Sequence, residues 1–103
     1  MNKNTLFKNI LINKDKISQF GVKRLGLFGL FGLFVRDEQN KGSDVDIMVE
    51  FSYGKKNIDN FMNLVFFLED TLKRKVDLLT KEALSPSMRK YVLSEVQFIE
   101  ISN

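Results

Sequence analysis

From Asp44 to Phe51 the chain reads Asp-Val-Asp-Ile-Met-Val-Glu-Phe, alternating around an apolar face with a period of two. That period belongs to a strand, in which successive side chains point to opposite faces. Ile47 and Val49 take one parity and face a core. Asp44 and Asp46 take the other, at the strand's start, with their Cα atoms about 7 Å apart. Two carboxylates on one face repel, and a divalent cation between them keeps both ionised. Oxygen ligands suit Mg²⁺ or Mn²⁺. An Asp-x-Asp pair is common, so its meaning depends on what surrounds it.

The rest of the composition narrows the chemistry. The 103 residues contain neither cysteine nor histidine. Disulfides, thiolate metal sites and imidazole bases are therefore excluded, and acid–base or metal chemistry falls to carboxylates, Lys, Tyr or hydroxyls. This length predicts one domain, and the 44% apolar content with ten Phe supplies a single core. No stretch approaches the roughly 20 apolar residues of a membrane span, and Met1-Asn2-Lys3-Asn4 does not open a signal peptide. A cytoplasmic protein with no membrane association is expected. The net charge of +3 fits a phosphate-bearing ligand or an acidic partner protein. Direct nucleic-acid binding is not expected, since so mild a basicity is no nucleic-acid signature by itself, and no run of five like charges exists to act as a tail.

Along the chain, Leu6, Phe7, Ile10 and Leu11 have helical spacing, with Asn4 or Thr5 as a cap. A second turn or a continuation carries Ile17 and Phe20, and Gly21 then stops it. A strand follows from Val22 to Phe28. The tripeptide Gly-Leu-Phe then occurs three times, from Gly26 to Phe34, a spacing that suits neither strand nor helix throughout. A glycine turn and a short helix to about Asp37 are predicted there, with a loop over Glu38–Ser43. After the strand ending at Phe51, Asn57 caps a helix from Ile58 to about Leu72. A short strand covers Lys75–Thr80, and Ser85-Pro86 opens a helix to about Glu95. An extended edge segment, Val96–Ile101, ends the pattern. The class is mixed α/β, with one small mixed sheet flanked by helices.

Two features add weight to the aspartates. The strand–glycine turn–helix unit before them offers backbone N–H groups and a positive helix end to an anion. Asp77 is an acid inside the otherwise apolar strand Val76-Asp77-Leu78-Leu79. If buried there it requires a partner or a metal. Placement on an exposed edge strand, or pairing with Lys75, is the alternative.

These blocks together resemble the minimal nucleotidyltransferase (MNT) domain of the DNA polymerase β superfamily. The family signature is Gly-Ser, ten residues, then Asp-x-Asp. Here Gly32-Leu33, ten residues from Phe34 to Ser43, and Asp44-Val45-Asp46 match the spacing. Val22–Phe28, Ser43–Phe51, Arg74–Thr80 and Ala83-Leu84-Ser85-Pro86 are family-like as well. Two departures stand out: the signature serine is Leu33, and the repeated tripeptide accounts for three extra residues.

The resemblance implies a polymerase β-like fold and transfer of AMP from ATP to a hydroxyl. Asp44, Asp46 and Asp77 would be the catalytic and metal-ligating residues, holding two Mg²⁺ ions. Gly32, Leu33, Ser43 and Arg36 fall at nucleotide-binding positions. Stand-alone domains of this kind commonly pair with a HEPN-family ribonuclease toxin, so a hetero-oligomer is implied, with this chain as the antitoxin that adenylylates a tyrosine of its partner. Leu33, which offers no hydroxyl to a phosphate, leaves open a second reading in which the domain neutralises its partner by binding alone.

Overall fold

The computed structural model describes residues 3–27 and 45–102. Gly32, Leu33, Arg36, Ser43 and Asp44, with the predicted turn and short helix, lie outside the described residues.

Strands β1 (Val22–Leu27), β2 (Val45–Phe51), β3 (Val76–Thr80) and β4 (Gln97–Glu100) form one sheet in the order β3-β2-β1-β4. β1 runs antiparallel to both β2 and β4, whereas β2 and β3 are parallel. A parallel pair requires a crossover, and helix α3 (Ile58–Leu72) provides it. Its 15 residues rise about 22 Å, enough to return the chain from the end of β2 to the level of its start.

The bounds of α3 follow from its ends. Asn57 Oδ1 accepts a hydrogen bond from Asn60 N–H at 2.8 Å, which caps the first turn. At the other end Lys73 adopts a left-handed conformation (φ 55°) and donates its N–H to Glu69 O. Between them Leu64, Leu68 and Leu72 recur at i, i+4, i+8 and are fully buried.

Of the two forms open for the N-terminal segment, the separate second turn is the one that occurs: α1 (Lys3–Ile12) is followed by α2 (Lys14–Ser18). The break is at Asn13, whose side-chain amide donates to Asn9 O at 2.7 Å while its N–H reaches Ile10 O at 3.1 Å. A side chain competing for the backbone tightens the turn there. Leu6, Ile10 and Ile17 enter the core, but Leu11 is 54% exposed. Gly21, with φ +78°, then reverses the chain into β1; an added Cβ would lie 2.5 Å from Lys55 Cβ.

Helices α1, α2 and α3 contribute to a core that includes Leu25, Leu27, Val45, Ile47, Val49, Val76, Leu78 and Ile99 from the sheet. The opposite face carries a smaller cluster. Met48 packs there with Leu84 and with Val92 of α4 (Pro86–Glu95), and Leu79 and Val96 flank them.

Candidate active site

Because β2 and β3 are parallel and in register Val45↔Val76, Asp46 stands directly across from Asp77. Adjacent strands lie about 4.8 Å apart, and paired residues share a face. Val45, Ile47, Val76 and Leu78 face the helical core, so both aspartates project from the other side. The register is fixed at its first step, where Val45 N–H donates to Lys75 O at 2.9 Å. Val76 N–H donates to Glu69 Oε2 at 3.0 Å and ties the strand to the end of α3.

Asp46 is half-buried and Asp77 is exposed. The exposure corrects the idea of a buried acid within an apolar strand. β3 is an edge strand, and only Val76 and Leu78 meet the core. Asp77 and Lys75 are not joined by a salt bridge, and among the described residues Asp77 has no ion-pair partner.

One step along the same face, Gly26, Met48 and Leu79 lie in one row across β1, β2 and β3, which gives the carboxylates a dry, packed neighbour. Gly26 is demanded by that packing. A Cβ on it would sit 2.5 Å from Val96 Cγ2 and 3.2 Å from Phe98 Cε1. A glycine inside a strand is the sequence signal for such a close approach, and it was available at Gly26. The next row holds another pair of acids. Glu50 and Glu100 flank Arg24, whose Nε lies 3.2 Å from an oxygen of each. The Arg24 guanidinium also sits 5.7 Å from the Phe98 ring centroid.

The connection from β1 to β2 leaves at Leu27 and returns at Val45, and Leu27 pairs with Ile47. Both of its ends therefore flank the Asp46–Asp77 pair. Asp44 immediately precedes Val45 in the chain. Among the described residues no group of three or more acids or imidazoles forms a metal cage. The donor set nevertheless fits a hard cation: two carboxylates in register, oxygen ligands only, and one of them open to solvent on an edge strand. Mg²⁺ ordinarily takes one or two protein carboxylates and completes its shell with water and phosphate oxygens.

Comparison with known proteins identifies the family. A family model described as "Nucleotidyltransferase domain" matches residues 12–99. The protein adenylyltransferase MntA of Thermococcus cleftensis is 37% identical over 86 residues, 84% of this chain and 83% of that protein. A solved structure of a provisionally named minimal nucleotidyltransferase superposes with a TM-score of 0.76 at 28% identity, covering 94% of this chain and 95% of the other. Two toxin–antitoxin structures share the fold at lower identity. One, with AMP-PNP, has a TM-score of 0.61 at 21% identity, covering 95% and 72% of the two chains. The other holds tri-AMPylated Shewanella oneidensis HEPN toxin in complex with MNT antitoxin. Its TM-score is 0.53 at 19% identity, over 85% and 69% of the chains. No helix among the described residues is long and apolar enough to cross a membrane. With the family model spanning most of its length and a named adenylyltransferase so similar, the chain belongs to the nucleotidyltransferase domain family, within the minimal nucleotidyltransferases.

Proposed function

We propose that this chain transfers AMP from ATP to a tyrosine hydroxyl of a HEPN-type toxin and so acts as that toxin's antitoxin. The observation that carries the reading is the register pairing of Asp46 with Asp77 on the open face of the sheet. The relative named MntA and the AMPylated HEPN–MNT complex support the choice of acceptor.

Asp44, Asp46 and Asp77 would hold two Mg²⁺ ions, which when bound screen the triphosphate's charge and acidify the attacking hydroxyl. The chain's own groups do the rest. Asp46, half-buried beside Met48, is the fixed member of the pair and orients what binds over it. Asp77, exposed on the edge strand, is reachable by a hydroxyl that another protein presents, and it takes that hydroxyl's proton. The tyrosine oxygen bonds to the α-phosphorus, the bond from that phosphorus to the α–β bridging oxygen breaks, and pyrophosphate leaves. Gly32, Ser43 and Arg36 are assigned to the phosphates, and Leu33 contributes backbone only.

The test is direct. Purified chain, Mg²⁺ and ATP labelled at the α-phosphate are incubated with a co-expressed HEPN partner. Label on the partner, lost with Asp46→Asn, is expected. A stable complex without label would overturn the transfer reading in favour of neutralisation by binding, the outcome that the missing serine hydroxyl at Leu33 would explain.

A further inference from the structure

The turn between α3 and β3 places three consecutive cations, Lys73, Arg74 and Lys75, at the edge of the sheet where Asp46 and Asp77 lie. With Glu69 they line an open groove of about 560 Å³. Their situations differ. Lys73 is drawn back along the helix to Asp70, with Nζ 3.4 Å from Oδ1. Arg74 is half-buried and engaged within the fold. Lys75 is exposed and has no ion-pair partner among the described residues. Its carbonyl is pinned by Val45 N–H, so its Cα stands at the first step of the β2–β3 ladder. It stands immediately before β3, two residues from Asp77 and at the same end of the β2–β3 ladder as the Asp46–Asp77 pair. A lysine stem is long enough to carry its ammonium over the neighbouring position.

We propose that Lys75 is a nucleotide-positioning residue of this site: its ammonium binds the phosphate chain of a nucleoside triphosphate held at Asp46 and Asp77. The inference rests on the nucleotidyltransferase reading. A site floored by carboxylates repels a polyphosphate, and a cation beside it offsets that repulsion with a charge-assisted hydrogen bond. In this chain the need is sharper, because Leu33 stands where the family signature has a serine hydroxyl. Lys75 supplies a donor from a different strand.

The experiment measures Mg²⁺-dependent binding of ATP and of adenosine to the purified protein, for the wild type, Lys75→Ala, Lys75→Arg and, as a control on α4, Lys90→Ala. AMP transfer to the co-expressed partner is read in parallel. Lys75→Ala should weaken ATP binding about tenfold and leave adenosine binding unchanged. Lys75→Arg should restore ATP binding to within about threefold, and Lys90→Ala should match the wild type. Equal ATP affinity in Lys75→Ala, or an equal loss for ATP and adenosine, overturns the assignment. Wild-type protein that binds no ATP overturns it as well. ATP binding that depends on Lys75, without AMP transfer, sinks the transfer reading alone and leaves the lysine's role standing.

Discussion

The two faces of β2 divide the molecule's tasks. On one side Val45, Ile47 and Val49 are each 0% exposed and locked into the helical core. On the other, Asp46, Met48 and Glu50 pass within three alternate positions from a half-buried acid to a dry contact to an ion-paired acid. The core face tolerates no polar group, and its residues are interchangeable in kind. The open face is heterogeneous, each residue answering to a different neighbour across the sheet. A seven-residue strand thus separates stability from chemistry by parity alone.

Substitutions on the two faces should therefore fail in different ways. The largest effect is expected from Asp46→Asn, which keeps size and packing but removes a ligand charge. AMP transfer should fall at least about a hundredfold while the fold is kept, since asparagine preserves the size and packing of the side chain. Thermal melting and labelled transfer, measured on the same sample, check this. One residue on, Ile47→Ala should reverse the pattern. Removing a fully buried side chain from the core costs about 2–5 kcal/mol, a drop in melting temperature of roughly 10 °C or more for a domain this size. Transfer per folded molecule should stay near wild type at low temperature. Were Ile47→Ala to abolish transfer in fully folded protein, the division by parity would be wrong.

Gly26 tests the floor between the faces' two rows of acids. With a Cβ 2.5 Å from Val96 Cγ2, Gly26→Ala should cost about 1–3 kcal/mol through overpacking, because Val96 and Phe98 must both give way. Adding Val96→Ala makes room, so the double variant should be more stable than the sum of the two single losses implies. Additive losses in urea unfolding would mean that the tight contact is not what glycine serves.

What the sequence disclosed follows the same line between local and distant causes. Helix α3 and the opening of α4 were legible because Asn57 and Pro86 mark their starts in the chain itself. The same-face placement of alternate strand residues was legible from parity. The pairing of Asp46 with Asp77 was not, since it depends on how far α3 carries the chain back before β3 begins, a tertiary offset of 31 positions. Asp77 read as a candidate buried acid because Val76, Leu78 and Leu79 surround it. Only the strand order reveals an edge strand with one side open. Leu11 fitted the helical spacing and is nevertheless exposed, since Leu6 and Ile10 take the core-facing side of α1. Lys75 read only as a possible pair for Asp77; its register position is what sets it apart among sixteen Lys and Arg residues.

The smallest expected effect comes from the far row, where the comparison can be made within one face. Glu50 and Glu100 lie on either side of Arg24 as Asp46 and Asp77 lie beside each other, but here the sheet supplies its own cation. The side chains of Arg24, Glu50 and Glu100 are 31%, 25% and 59% exposed, so solvent screens the pairing in part, most at Glu100. Arg24→Gln should therefore cost less than about 1 kcal/mol, and less still in high salt. Transfer should be unchanged, because Glu50 and Glu100 lie two rows from the reacting groups with the Gly26–Met48–Leu79 row between. A tenfold loss of transfer in folded Arg24→Gln would show that the two acid rows are coupled through that floor. The open face would then have to be treated as one electrostatic unit, and Asp46 and Asp77 would not be a site on their own.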